Sequence, residues 1–168
     1  MTTTKKENRM SEIIKLTNTR KSVSKDVLTG ETCLKSINLK GWPRDFDCAQ
    51  DKQIAAGQKK NIEKVKEHYL STLQPAKAKT ILGCIELLES RYYEVARPPE
   101  LQKQLDREWI ADMKDYPEDL IHQACVNWRN SSQSFAPRSA GVLMESVKPE
   151  YVRRKSLYLK AKSVLELI

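Results

Sequence analysis

The stretch from Leu101 to Pro137 constrains the fold most, because its apolar residues keep helical time on both sides of a proline. Leu101, Leu105, Trp109 and Met113 recur every fourth residue, and Leu120, Ile121, Ala124, Cys125 and Trp128 then fall at offsets that share one helix face. Two amphipathic helices are therefore predicted, forming a helical hairpin with both indoles packed inside it. Asp115-Tyr116-Pro117 separates them, since proline disfavours helix in the residue before it and suits the first turn of a new one. Glu118 and Asp119 follow, beside the positive end of the second helix dipole.

The flanking segments extend this pattern into an all-α reading. Gly is scarce at 5 residues, aromatics make up 7%, and period-2 runs of β-branched residues are absent, so a sandwich or barrel is disfavoured. Ile54, Ile62, Val65, Tyr69 and Leu73 predict a helix from Ala49 to about Leu73, weakened in the middle by Gly57. After Gln74-Pro75, the stripe Ile81, Leu82, Ile85, Leu88 and Tyr92 is the most apolar of the chain and marks a central helix. Arg97-Pro98-Pro99 is a stiff connector into the hairpin. Beyond it, Phe135-Ala136-Pro137 is expected to tuck a ring into the core and start a short helix with Val142, Leu143 and Val147 inward. A last helix from Glu150 to Ile168 is expected to bury Tyr151, Tyr158, Ala161, Leu165 and Ile168, opposite Arg153, Lys155, Lys160 and Lys162.

The N-terminal segment has a different composition. Residues 1–48 carry ten Lys/Arg and six Asp/Glu with many Thr, Ser and Asn, and are read as a mostly disordered basic arm before an all-helical domain over 49–168. Within the arm, Ser11 to Leu16 fits a short turn of helix, and Trp42 either anchors the arm to the domain or stays free. The run from Gly30 to Ser36 approaches a phosphate-binding loop, but Lys35 stands where the second glycine is needed and Ser36 where the lysine is, so it fails as one.

No catalytic, cofactor or metal site is expected. Asp119 and His122 have a carboxylate-x-x-His spacing, but no second copy accompanies them and a solvated or core-edge histidine is the favoured reading; Glu67-His68 is treated likewise. The carboxylate pairs Glu86 with Glu89 and Asp112 with Asp115 read as wet helix faces. Cys33, Cys48, Cys84 and Cys125 form no CxxC pair and are read as reduced, the last two as small apolar residues within helix stripes. A helical metal-dependent enzyme is the weakest of the readings.

Charge gives the functional clue. The formal net charge is +8, while Glu100 to Asp119 holds seven acidic residues against three basic ones. Segregation of this kind suits a protein that meets nucleic acid with Arg153, Lys155, Lys160 and Lys162 and a protein partner with Glu108, Asp112 and Glu118. The competing reading pairs the acidic middle with the basic ends. No run of about 18 apolar residues exists to span a bilayer and no signal peptide is evident, so a cytoplasmic location is expected.

The set Trp109, Asp115-Tyr116-Pro117, Glu118, Ala124, Trp128 and Phe135-Ala136-Pro137 resembles a pattern found in small helical proteins of phages and prophages, notably replicative-helicase loader or inhibitor proteins. The resemblance spans roughly Pro75 to Val147 and rests on packing and capping residues, so it implies a related helical domain more than a shared function. It implies a phage or mobile-element DNA-replication adaptor that acts by binding a replicative helicase or other replication protein. A basic helical nucleic-acid-binding regulator is the alternative.

Overall fold

The computed structural model describes residues 23–40, 45–92 and 97–168. In chain order these form α1 (Lys25–Ser36), β1 (Leu39–Lys40), β2 (Asp45–Phe46), α2 (Ala49–Gly57), α3 (Lys59–Thr72) and α4 (Ala78–Glu89). There follow α5 (Pro99–Met113), α6 (Glu118–Asn130), α7 (Ala140–Met144) and α8 (Lys148–Leu167). The class is all-α; among the described residues the strands amount to a two-stranded antiparallel ribbon, in which Leu39 pairs with Phe46 and Lys40 with Asp45. Among the described residues the chain divides into two compact units, one of 74–149 and one of 23–73 with 150–168.

The first unit is built on α4. Its stripe Ile81, Cys84, Ile85 and Leu88 is buried, and both α5 and α6 pack against it, which makes it the central helix that its sequence predicts. The break between α5 and α6 falls at Asp115-Tyr116-Pro117, as proline chemistry requires. That turn is tied down: the Ala76 N–H donates to the Tyr116 carbonyl at 3.0 Å and Pro75 bridges Pro117. Trp109 and Met113 are buried, whereas Trp128 is only half-buried. Phe135 corrects its expectation, because its ring is 47% exposed and Ala136 is buried in its place. The Trp128 indole N–H holds the Phe135 carbonyl at 3.1 Å, leaving the ring edge-on to the indole and under the Arg138 guanidinium. The short helix begins at Ala140 behind an N-cap Ser139 instead of at Pro137; it buries Leu143 but leaves Val142 exposed, while Val147 beyond it is buried.

The second unit corrects the N-terminal reading. Residues 25–36, expected to be disordered, form a helix capped by Ser24, with Val27, Cys33 and Leu34 in a core shared with Ile62, Val65 and Tyr69 of α3. Residues 1–22, with the helical turn expected at 11–16, and residues 41–44, with Trp42, lie outside the described residues. What the polar composition hides is a close approach of α1 and α3. A Cβ added to Gly30 would lie 2.5 Å from the Asn61 carbonyl oxygen and 2.6 Å from Val65 Cγ2, so the glycine that opens the failed phosphate-loop match is a helix-packing glycine. The expected single helix from 49 to 73 is two, interrupted at Gly57–Gln58, with Ala55 rather than Ile54 buried.

α8 completes this core with Leu157, Ala161 and Val164; Ala161 belongs to the predicted stripe, whereas Leu157 and Val164 replace its tyrosines at the centre. Tyr158, Leu165 and Ile168 are only partly buried against it.

Two glycines should respond oppositely to alanine. Gly30→Ala is expected to destabilise by about 1–3 kcal/mol, the usual cost of overpacking. Gly83, exposed within α4 with open space around its Cβ position, should gain about 0.5–1 kcal/mol on the same change. Chemical denaturation of both variants checks this; equal effects would contradict the close approach.

Candidate functional site

The N-terminal half of α8 faces the segment that leaves α1, and together they bound a groove of about 640 Å³. One wall is Ile37, Asn38 and Leu39; the other is Val152, Lys155, Ser156, Leu159 and Lys160, spread over more than two turns of α8. The first wall is fixed from below. Ile37 is fully buried and its N–H donates to the Cys33 carbonyl at the end of α1. The buried Asp51 accepts the Asn38 N–H at 3.3 Å, and the Asn38 carbonyl accepts the Asp47 N–H at 3.1 Å.

The opposite wall is held by charge. Glu31 of α1 is only 7% exposed, a costly site for a carboxylate unless it is fully partnered. The Tyr69 hydroxyl donates to Glu31, and Arg153 reaches both groups, donating to the Tyr69 oxygen at 3.2 Å and lying 3.6 Å from the Glu31 carboxylate. Glu150 takes a two-pronged contact from Arg153 at 2.8 and 3.1 Å and a further one from Arg154 at 2.9 Å. Arg154 also donates to the Thr72 carbonyl at the end of α3. Burial, then the Glu31 hydrogen bond, push the Tyr69 hydroxyl up to about 12, and the Arg153 hydrogen bonds hold the Glu150 carboxyl below its ordinary range.

This places the four predicted nucleic-acid residues in different roles. Arg153 faces the Glu31–Tyr69–Glu150 cluster, because its long apolar stem can lie along a core whose acidic groups need a cation. Lys162 stands 3.9 Å from Glu166 on its own helix. Only Lys155 and Lys160 meet at the groove, and among the described residues no salt bridge engages either. Burial lowers the Lys160 ammonium from its ordinary value, with Asp51 and Cys33 pulling the other way. Val152 and Leu159 are large apolar residues left 56% and 43% exposed on the same wall.

The apolar pair Val152 and Leu159 thus borders the two lysines, a mixture that periodicity alone does not reveal.

The predicted acidic partner face is brought together only in part. Glu108 and Asp112 are exposed one turn apart on α5, with Lys103, Arg107 and Lys114 also exposed on or just after that helix. Glu118 stands on α6, half-buried, with its carboxylate 3.8 Å from His122 Nε2. His122 therefore meets Glu118, not Asp119, and is a core-edge histidine with 12% of its side chain exposed. Among the described residues, no group of three or more His, Cys, Asp or Glu side chains is arranged to hold a metal ion, and no helix is long and apolar enough to cross a membrane. No protein-family model, curated protein or solved structure matches the chain.

The Glu31 cluster predicts an alkaline limit to stability. Because the folded Tyr69 hydroxyl is raised from 10.0 to about 12, its contribution is complete below pH 10 and is lost as pH rises through about 12. Tyr69→Phe should remove that alkaline loss in melting experiments and also destabilise at neutral pH by about 1–3 kcal/mol, the cost of an unpartnered buried acceptor. An unchanged alkaline profile in the variant would assign the loss to other groups.

Proposed function

We propose that this chain is a non-enzymatic, cytoplasmic adaptor of phage or mobile-element DNA replication, resembling helicase loaders or inhibitors and acting by protein binding. The observation that carries the reading is the groove beside α8, where Lys155 and Lys160 border exposed Val152 and Leu159. A duplex backbone offers phosphates but no apolar surface to cover aliphatic side chains, whereas a protein segment with alternating acidic and apolar residues satisfies both. Lys160 strengthens the argument, since a partly desolvated ammonium gains more from an incoming carboxylate than a fully hydrated one does. The partner proposed is an acidic, apolar segment of a replicative helicase. The exposed Glu108 and Asp112 offer a second, weaker contact surface on the helical unit of 74–149.

Titration of the labelled chain with purified replicative helicase of the host tests this. Binding is expected, and Leu159→Asp and Lys155→Glu should each weaken it at least about tenfold, the scale of a modest interface anchor, without changing the melting temperature. Absence of binding, or variants with unaltered affinity, would overturn the reading. Loss of duplex DNA binding in Lys155→Glu with helicase binding intact would select the nucleic-acid regulator instead.

A further inference from the structure

The first unit contains a side-chain cluster that the binding reading does not use. Cys84 of α4 and Cys125 of α6 are both buried, at 5% and 6% exposure, on helices that pack together, and each thiol is the strongest influence on the other's ionisation. His122, one turn before Cys125 on α6, lies with Nδ1 3.4 Å from the Cys84 sulfur. Its Nε2 faces the Glu118 carboxylate at 3.8 Å. A thiol, a second thiol, an imidazole and a carboxylate are thus joined in one line across the α4–α6 contact. The cluster is not sealed, because 12% of the His122 side chain and 45% of the Glu118 side chain are exposed.

We propose that Cys84 and Cys125 are a reversible oxidation site for small hydroperoxides, with Cys84 the attacking sulfur, Cys125 the resolving one and His122 the proton donor. The asymmetry between the sulfurs follows from their neighbours. Cys125, followed by the His122 contact, lowers the Cys84 thiol from its ordinary value, although burial opposes this. Cys125, beside Cys84 and also buried, is raised from its ordinary value. Cys84 in turn raises His122, so the two groups shift in the directions that favour moving the proton from sulfur to imidazole.

The chemistry balances with hydrogen peroxide as the oxidant. The Cys84 thiolate attacks one peroxide oxygen, the O–O bond breaks, and a sulfenic acid forms at Cys84. The leaving hydroxide takes the proton from His122 Nδ1 and departs as water. The Cys125 sulfur then attacks the sulfenic sulfur, an S–S bond forms, and the hydroxyl leaves with the Cys125 proton as a second water. Each sulfur loses one electron, and the two peroxide oxygens gain them. A dithiol reductant reverses the result by exchange.

The chain supplies its own controls, since Cys33 is buried with its thiol raised by burial and Cys48 is exposed without a comparable cluster. Treatment with hydrogen peroxide near neutral pH, alkylation of remaining thiols under denaturing conditions and peptide mapping should yield a Cys84–Cys125 disulfide, reversed by dithiothreitol. It should form at least about tenfold faster than oxidation of Cys33, in keeping with the larger thiolate fraction. Cys125→Ser should instead accumulate a Cys84 sulfenic acid that dimedone traps, and His122→Asn should slow Cys84 oxidation about tenfold with the helical signal unchanged. Should Cys125→Ser fail to fold, the disulfide in the unaltered chain and its rate against Cys33 decide alone. Oxidation confined to Cys48, or Cys84 reacting no faster than Cys33, would overturn the proposal.

Discussion

A carboxylate that must not be left alone organises the unit of 23–73 and 150–168. Glu31 is buried on α1 and is satisfied only when Tyr69 from α3 and Arg153 from α8 converge on it. Removing one partner from such a cluster exposes the others to an uncompensated low-dielectric cost, so the three helices are coupled through it. The coupling fixes the rotation of α8 about its axis. With Arg153 reaching Glu31 and Tyr69 from the rim of the core, Leu157, Ala161 and Val164 enter the core, and Val152, Lys155 and Leu159 are left on the groove wall. The groove is in this sense a by-product of burying one acid.

Gly30 makes the arrangement possible from the other side. Glu31 follows it directly, and the absence of a side chain at Gly30 lets α1 sit against Asn61 and Val65 of α3, bringing the carboxylate within reach of Tyr69. Asp51 plays a smaller part of the same kind, holding the Asn38 amide so that the opposite wall has a defined position. Polar residues thus do much of the positioning in a unit whose apolar core is small.

That dependence explains which parts of the fold were legible in the sequence. Where apolar spacing decides the structure it could be read: the α4 stripe, Trp109 and Met113 on α5, Leu120, Ile121, Ala124 and Cys125 on α6, and the break at Asp115-Tyr116-Pro117. Where a polar or missing side chain decides it, periodicity misled. α1 looked like a disordered arm because its packing depends on a glycine and a buried acid. α8 carries apolar residues around much of its circumference, so its tyrosines seemed as good a core face as Leu157 and Val164, and the contacts of the exposed Arg153 with Glu31 and Tyr69 were not foreseen. The candidate site was half legible: Lys155 and Lys160 were among the predicted residues, but Ile37, Asn38 and Leu39 come from a segment distant in sequence. The His122-x-x-Cys125 spacing was visible as a shared helix face, but its link to Cys84 exists only once α4 and α6 pack together.

The central claim is that α8 presents a protein-binding groove while its Arg153 serves the fold by partnering Glu31. Hydrogen exchange measured with and without replicative helicase tests it most directly, because it reports where the partner sits without altering any residue. The account predicts new protection confined mainly to residues 37–39 and 152–160. Protection centred on Glu108 and Asp112, or none in α8 at saturating helicase, would contradict it.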